Sequence, residues 1–95
     1  MPKGYVIAHI RVHDADGFEE FKRLSGPAIQ DHGGRVLVRD PKPDHREGAA
    51  QGTVIVVEFD DIATARRFYE SQAYTDARAV RERAAETDLV LAEGL

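Results

Sequence analysis

A histidine in the middle of an apolar, β-branched run is the residue of this sequence best suited to chemistry. His9 lies in the run YVIAHIRV, which extends from Tyr5 to Val12. An imidazole titrates near neutral pH, so His9 could act as a general acid or base or contact a ligand. The alternative is a structural histidine in a polar interface network, because buried polar groups are usually paired. The sequence leaves both roles open.

Residues on neighbouring strand-like runs are expected to surround this histidine. Residue parity along the strands places Arg39 and Glu58 on the same sheet face as His9 and Tyr5. In one interpretation Arg39 and Glu58 form a cross-strand ion pair. In the other, Arg39 clamps the anion of a carboxylated ligand. We expect His9 to face a polar pocket near a dimer interface, close to Glu58.

A second group of candidate ligand contacts lies in the later helical region. Tyr74 and Arg81 are seven residues apart, so they share one face of a helix. They could lean over the sheet or over a partner subunit and bind a ligand there. The alternative is a role in the core or the interface, which is the usual place of a large aromatic side chain.

Metal and cofactor sites are not predicted. His9 and His13 would stand roughly 13 Å apart on a strand, too far to share a zinc ion. The sequence DADG from Asp14 is similar to the opening of a calcium loop, but Ser25 stands where the closing glutamate belongs. No phosphate-binding glycine-rich loop follows a strand, and haem and flavin signatures are absent.

Four strands are expected to carry or surround these residues. Runs of β-branched and aromatic residues predict them at Tyr5–Val12, Arg35–Arg39, Thr53–Phe59 and Leu89–Ala92. The segment from residue 40 to residue 52 contains two prolines and two glycines among charged residues, and we expect it to be the least ordered part of the chain.

Two helical regions separate the strands. The first is predicted to begin with Asp16 as its cap, to bend at Ser25-Gly26 and to end near His32, before two glycines. The second is predicted to begin at Asp61, with an interruption near Ser71-Gln72 and an end near residue 86. The order β-α-β-β-α-β predicts an α+β, ferredoxin-like fold, in which a four-stranded antiparallel sheet has its helices on one face.

The sheet face without helices is expected to be too apolar for a monomer. Val6, Ala8 and Ile10 form the parity set that fits under the helices, and Val36 and Val38 are expected to join them. Soluble monomers seldom expose a large apolar patch, so two copies are predicted to pair through their helix-free sheet faces. The opposite face would expose Ile7, Leu37, Val54, Val56 and Val90.

Length and composition restrict the class of protein further. Ninety-five residues fit a single domain over 1–95, and the absence of cysteine suits a reducing cytoplasm. No signal peptide is visible, and no apolar run approaches the roughly 20 residues that span a bilayer. A net charge of −4 without a basic segment predicts no nucleic-acid partner.

The chain resembles the DUF1330 family of the dimeric α/β-barrel superfamily. The resemblance lies in GYVIAHIRV from Gly4, the aromatic spacing from Asp14 to Phe21, PAI and HGGR from Pro27, VVEF from Val56, FYESQAYTDARAVR from Phe68, and the final LAEG. It implies a ferredoxin-like homodimer, and proteins of this fold include cofactor-free monooxygenases, isomerases and haem-degrading enzymes.

Two functions follow as hypotheses from the resemblance and the residues. The first is a cofactor-free small-molecule enzyme, similar to a monooxygenase or an isomerase, with a pocket beside the sheet. The second is a dimer that binds a small ligand without catalysis, or that is purely structural. A pocket of about 300 Å³ or more reached by His9 would favour the enzyme.

Overall fold

The computed structural model describes residues 1–95, with four strands and three helices. The antiparallel sheet has the strand order β2-β3-β1-β4, and the helices cover one of its faces. This confirms the predicted α+β, ferredoxin-like fold. No helix is both long and apolar enough to cross a membrane. The elements are β1 (Gly4–Val12), α1 (Ala15–Asp31), β2 (Arg35–Asp40), β3 (Thr53–Phe59), α2 (Ile62–Glu70), α3 (Gln72–Ala84) and β4 (Ala85–Glu93).

Helix α1 begins two residues earlier than predicted and is continuous. Asp14, and not Asp16, caps it, since the Asp14 carboxylate accepts a hydrogen bond from the Gly17 amide at 3.2 Å. Ser25 and Gly26, where a bend is predicted, lie within this one helix, which also includes Pro27. Packing of its buried face against the sheet outweighs the amide hydrogen bond that a proline lacks. Gly33, with φ of +69°, ends the helix turn as expected.

Ser71 separates α2 from α3, which confirms the predicted interruption. Its hydroxyl donates to the Phe68 carbonyl at 2.7 Å and accepts from the Tyr74 amide at 3.2 Å. The residue therefore closes one helix and caps the next. The extended backbone at Ser71 also resets which residues of α3 face the sheet.

Strand β4 is longer than the predicted Leu89–Ala92 and follows α3 directly. Of the four residues before Leu89, only Thr87 favours a strand, and Ala85, Glu86 and Asp88 have weak intrinsic strand preference. Pairing decides their structure, because each residue from Ala85 to Glu93 pairs with a residue of β1. This long-range pairing could not be predicted from local composition.

A β-bulge in β2 changes the predicted faces of that strand. Val36 pairs with Val57 on the helix side, but the register shifts before Val38, which pairs with Val56 on the opposite side. Because of this single extra residue, each later residue of β2 lies on the sheet face opposite to the predicted one. Arg39, opposite Ile55, therefore lies on the helix side.

The core lies between the helices and the sheet and is rich in aromatic rings. Phe59 and Phe68 are fully buried with ring centroids 5.0 Å apart, and the Tyr74 ring lies 4.6 Å from that of Phe68. The opposite sheet face, here called the open face, has no helix over it. Its Val90 is 57% exposed, and Leu37 at the bulge is 53% exposed.

Candidate functional site

A cleft between the sheet and helices α1 and α3 is the one pocket of the structure. It is open to solvent, and its cavity volume of about 40 Å³ is well below the roughly 300 Å³ that would favour an enzyme. Eleven of its fifteen lining residues are hydrophobic, so its wall suits an apolar molecule. The non-hydrophobic lining residues are Lys22, Ser25, Arg39 and Arg81.

The cap at Ser71 directs two of the predicted ligand contacts into this cleft. Tyr74, Ala77, Arg81 and Ala84 are the buried residues of α3, at a spacing that forms one helix face. This face packs towards α1 and the sheet. Tyr74 and Arg81 share one helix face, as their seven-residue spacing predicted, and both line the cleft.

Arg81 is a buried cation without a carboxylate partner. It is only 5% exposed, and its Nη1 donates to the Tyr74 hydroxyl at 2.5 Å. Its Nε is buried with no hydrogen-bond acceptor. The guanidinium carbon lies 5.5 Å from the centroid of the Phe21 ring and 5.9 Å from that of Tyr74. Ring faces attract the charge, but they leave Nε without an acceptor.

Tyr74 is held in its neutral form by its surroundings. Burial raises the pKa of its hydroxyl, and the nearby Arg81 charge offsets part of that effect. A neutral phenol that accepts a hydrogen bond from Arg81 retains its own proton for donation. The pair thus offers N–H and O–H donors at an apolar cleft.

The charged residues around the cleft are all positive. Arg39 and Lys22 line it with Arg81, and no aspartate or glutamate does. Lys22 also contacts Glu19 one turn away at 2.7 Å. Arg39 was predicted to pair with Glu58, but the bulge places it on the other face of the sheet. Its alternative as an anion clamp remains compatible with its position.

Glu58 instead belongs to a polar network on the open face. It accepts from the Tyr5 hydroxyl at 2.9 Å and from Arg35 Nε at 3.0 Å. The hydrogen bond from Tyr5, followed by that from Arg35, holds the pKa of Glu58 below its usual value. The same bond to Glu58 raises the pKa of Tyr5. Arg35 takes the place that the sequence assigned to Arg39, and it also contacts Asp60 at 3.4 Å.

His9 lies on the open face but apart from this network. Its position in β1 is opposite Val54 and Asp88, whereas Tyr5 is opposite Glu58. Four strand residues separate His9 from Tyr5, roughly 13 Å. The expected closeness of His9 to Glu58 is therefore wrong, and His9 does not line the cleft. Its catalytic role stays a prediction.

The structure thus divides the predicted ligand-binding residues into two groups and leaves His9 outside both. Tyr74, Arg81 and Arg39 meet at the cleft, while Tyr5 and Glu58 meet on the open face. Sequence reasoning missed Ser25, which is buried and lines the cleft from α1. Its position four residues after Phe21 on one helix face was the available signal.

Comparison with known proteins identifies the family. The DUF1330 model, described as a domain of unknown function, matches residues 3–95. The chain belongs to this family, which confirms the resemblance drawn from its motifs. No curated protein matches the sequence.

Solved structures share the fold at low sequence identity. A protein of unknown function from Rhodopseudomonas palustris has a TM-score of 0.78 at 18% identity, over 99% of this chain and 83% of that one. SnoaB, a cofactor-independent oxygenase from Streptomyces nogalater, has a TM-score of 0.69 at 11% identity, over 97% of this chain and 92% of that one. A protein from Bacteroides fragilis, described as dimeric and ferredoxin-like, has a TM-score of 0.56 at 11% identity, over 96% of this chain and 95% of that one.

Proposed function

We propose that this DUF1330 protein binds a small, largely apolar molecule in the cleft between its helices and its sheet. The observation that carries the proposal is an apolar cleft in which a buried guanidinium and a neutral phenol meet. Ligand sites typically combine an apolar wall with a few polar groups that orient the bound molecule. The cleft has this composition.

Pairing of two copies through their open faces is a second part of the proposal. The open face exposes Val38 and Val90 beside half-buried Ile7, Val54 and Val56. A two-fold arrangement would bury this apolar surface against its own copy. The Bacteroides fragilis neighbour, described as dimeric, lends support at the level of the fold. Light scattering should give twice the chain mass of 10.5 kDa.

Cofactor-free catalysis, in the manner of an oxygenase or an isomerase, is the second candidate function. The specific observation in its favour is the neutral Tyr74 hydroxyl, which could donate to a substrate oxygen that gains negative charge. Arg81 would stabilise the same charge. SnoaB shares the fold, but function is determined by the site and not by the fold.

Binding can be tested with a fragment library followed by NMR of the backbone amides. We expect fragment-induced shifts at cleft residues such as Ala8 and Ile55. Val36 is 40% exposed and lines the cleft, so Val36→Trp should obstruct the site and abolish these shifts. Val12 is 39% exposed but lies outside the cleft, so Val12→Trp is the matched control and should preserve them. Shifts confined to other surfaces would overturn the proposal.

A further inference from the structure

We propose that the ligand of the cleft carries a carboxylate, which Arg81 binds through Nε and Nη2 while the rest of the ligand lies on the apolar wall. The inference rests on the proposed small-molecule function and specifies the chemical class of the ligand. It makes Arg81 the residue that selects the ligand's charge.

The hydrogen bonds of Arg81 leave one edge of its guanidinium free. Nη1 donates to Tyr74, and Nε has no acceptor although it is buried. The edge formed by Nε and Nη2 matches the two oxygens of a carboxylate in a bidentate pair. A carboxylate in the cleft would supply the missing acceptor and the missing counter-charge together.

The energetic cost of burying the Arg81 charge in the protein without a ligand supports this assignment. A buried charge without a counter-charge destabilises a fold, and Arg81 gains only the Tyr74 hydroxyl as an acceptor in exchange for its hydration. The two ring contacts of Arg81 compensate the charge only in part, since neither ring accepts a hydrogen bond from Nε in the guanidinium plane. A bound anion is the group that makes this burial favourable.

The rest of the cleft favours the same class of ligand. Arg39 adds positive charge, whereas the charge of Lys22 is paired with Glu19, and no acidic side chain lines the cleft to repel an anion. Positive charge at a cleft mouth attracts anions at long range. The apolar wall, formed by residues such as Ile55 and Leu89, excludes strongly hydrated inorganic anions in favour of an organic acid.

Matched acids and amides test the inference in the unaltered protein. Benzoate and benzamide, and likewise hexanoate and hexanamide, have the same apolar body and differ in charge. Charged hydrogen bonds contribute about 1.5–3 kcal/mol, so we expect each acid to bind roughly 10- to 100-fold more tightly than its amide in calorimetric titrations. In nitrogen-15 spectra, the Arg81 Nε–H resonance should move on addition of the acid alone.

Two conservative variants separate this site from general charge attraction. Arg81→Lys keeps the charge but removes the bidentate edge, so acid binding should weaken about 10-fold. Arg83 lies on the same helix, is exposed and lines no part of the cleft, so Arg83→Lys should leave acid binding unchanged.

The outcomes distinguish the two proposals. If amides and acids shift the cleft amides with equal affinity, the carboxylate inference fails while the small-molecule function stands. If an acid binds but the Arg81 Nε–H resonance does not move, the inference also fails. If none of the four probes and no library fragment reaches the cleft, both proposals fail.

Discussion

The two faces of the sheet treat charge in opposite ways. On the open face, Glu58 accepts from both Tyr5 and Arg35, and Arg11 pairs with Asp88 at 3.0 Å. In the cleft, the more deeply buried Arg81 has no carboxylate partner. The charged residues named on the more accessible face have partners of opposite charge, whereas the buried Arg81 has none.

This difference separates structural polar groups from functional ones. Partners within the chain account for Glu58 and Arg35, so their positions need no ligand to explain them. The polar residues of the open face are candidates for a functional site by residue type alone. An unpaired buried cation is the stronger indication of a ligand, since its cost is not offset within the protein.

The largest predicted effect concerns the role of the open face as an interface. Val56 lies near its centre, opposite Ile7 and Val38, so Val56→Glu would bury an uncompensated charge in the dimer. We expect a loss of about 3–5 kcal/mol in dimer free energy and a monomer mass by light scattering. Ala79 is exposed on the helical side, and Ala79→Glu should leave the dimer intact. A dimer that survives Val56→Glu would contradict the proposed interface.

The next effect tests the cleft through its phenol. Tyr74→Phe would leave Arg81 with no protein acceptor, so the free energy of unfolding should fall by about 1–3 kcal/mol in denaturant titrations. Tyr69 accepts from the half-buried Arg78 at 2.9 Å and provides the matched control. Tyr69→Phe should cost less than about 1 kcal/mol, since water can replace its partner. Equal losses of unfolding free energy in the two variants would show that the buried Tyr74–Arg81 hydrogen bond contributes no more than the half-buried one.

A smaller effect tests the open-face network by its pH dependence. The pKa of Glu58 lies below its usual value of 4.5 in the folded protein, so its contribution to stability is present above that value. The contribution is lost as the pH falls through the folded pKa. Melting temperatures measured from about pH 6 to about pH 3 should therefore fall less for Glu58→Gln than for the original protein. Parallel curves would contradict the role of this network.

The smallest effect is expected at His9. Because His9 does not line the cleft, His9→Gln should leave the affinity for cleft ligands unchanged within error. The measurement is the same calorimetric titration with benzoate. Loss of binding without loss of the dimer would restore the predicted functional role of His9 and weaken the contrast between the two faces.

The fold could be predicted because its signals are local. Capping residues, glycine stops and apolar periodicity marked most elements, and even the interruption at Ser71 left a trace in the sequence. The extension of β4 to Ala85 could not be predicted in this way. It depends on pairing with β1, which is distant in the chain.

The candidate site was predicted only in part, because one bulge reversed a strand. Parity assigned Arg39 to the open face, but a bulge before Val38 moved it to the cleft. Arg35 then filled the place beside Glu58. Tyr74 and Arg81 could be predicted as a pair because helical spacing is insensitive to such shifts. The missing acceptor of Arg81 is a three-dimensional property that no sequence pattern displays.

The central claim is that the buried Arg81 serves to bind a ligand and does not stabilise the fold. Its most direct test compares the melting temperatures of Arg81→Met and Arg35→Met without ligand, at one protein concentration. Replacing the unpaired buried charge should stabilise the protein by about 1 kcal/mol or more, a rise of about 4–8 °C. Arg35→Met should instead lower the melting temperature slightly, because it breaks a partly exposed pair. A lower melting temperature for Arg81→Met would show that the guanidinium holds the fold together and would contradict the claim.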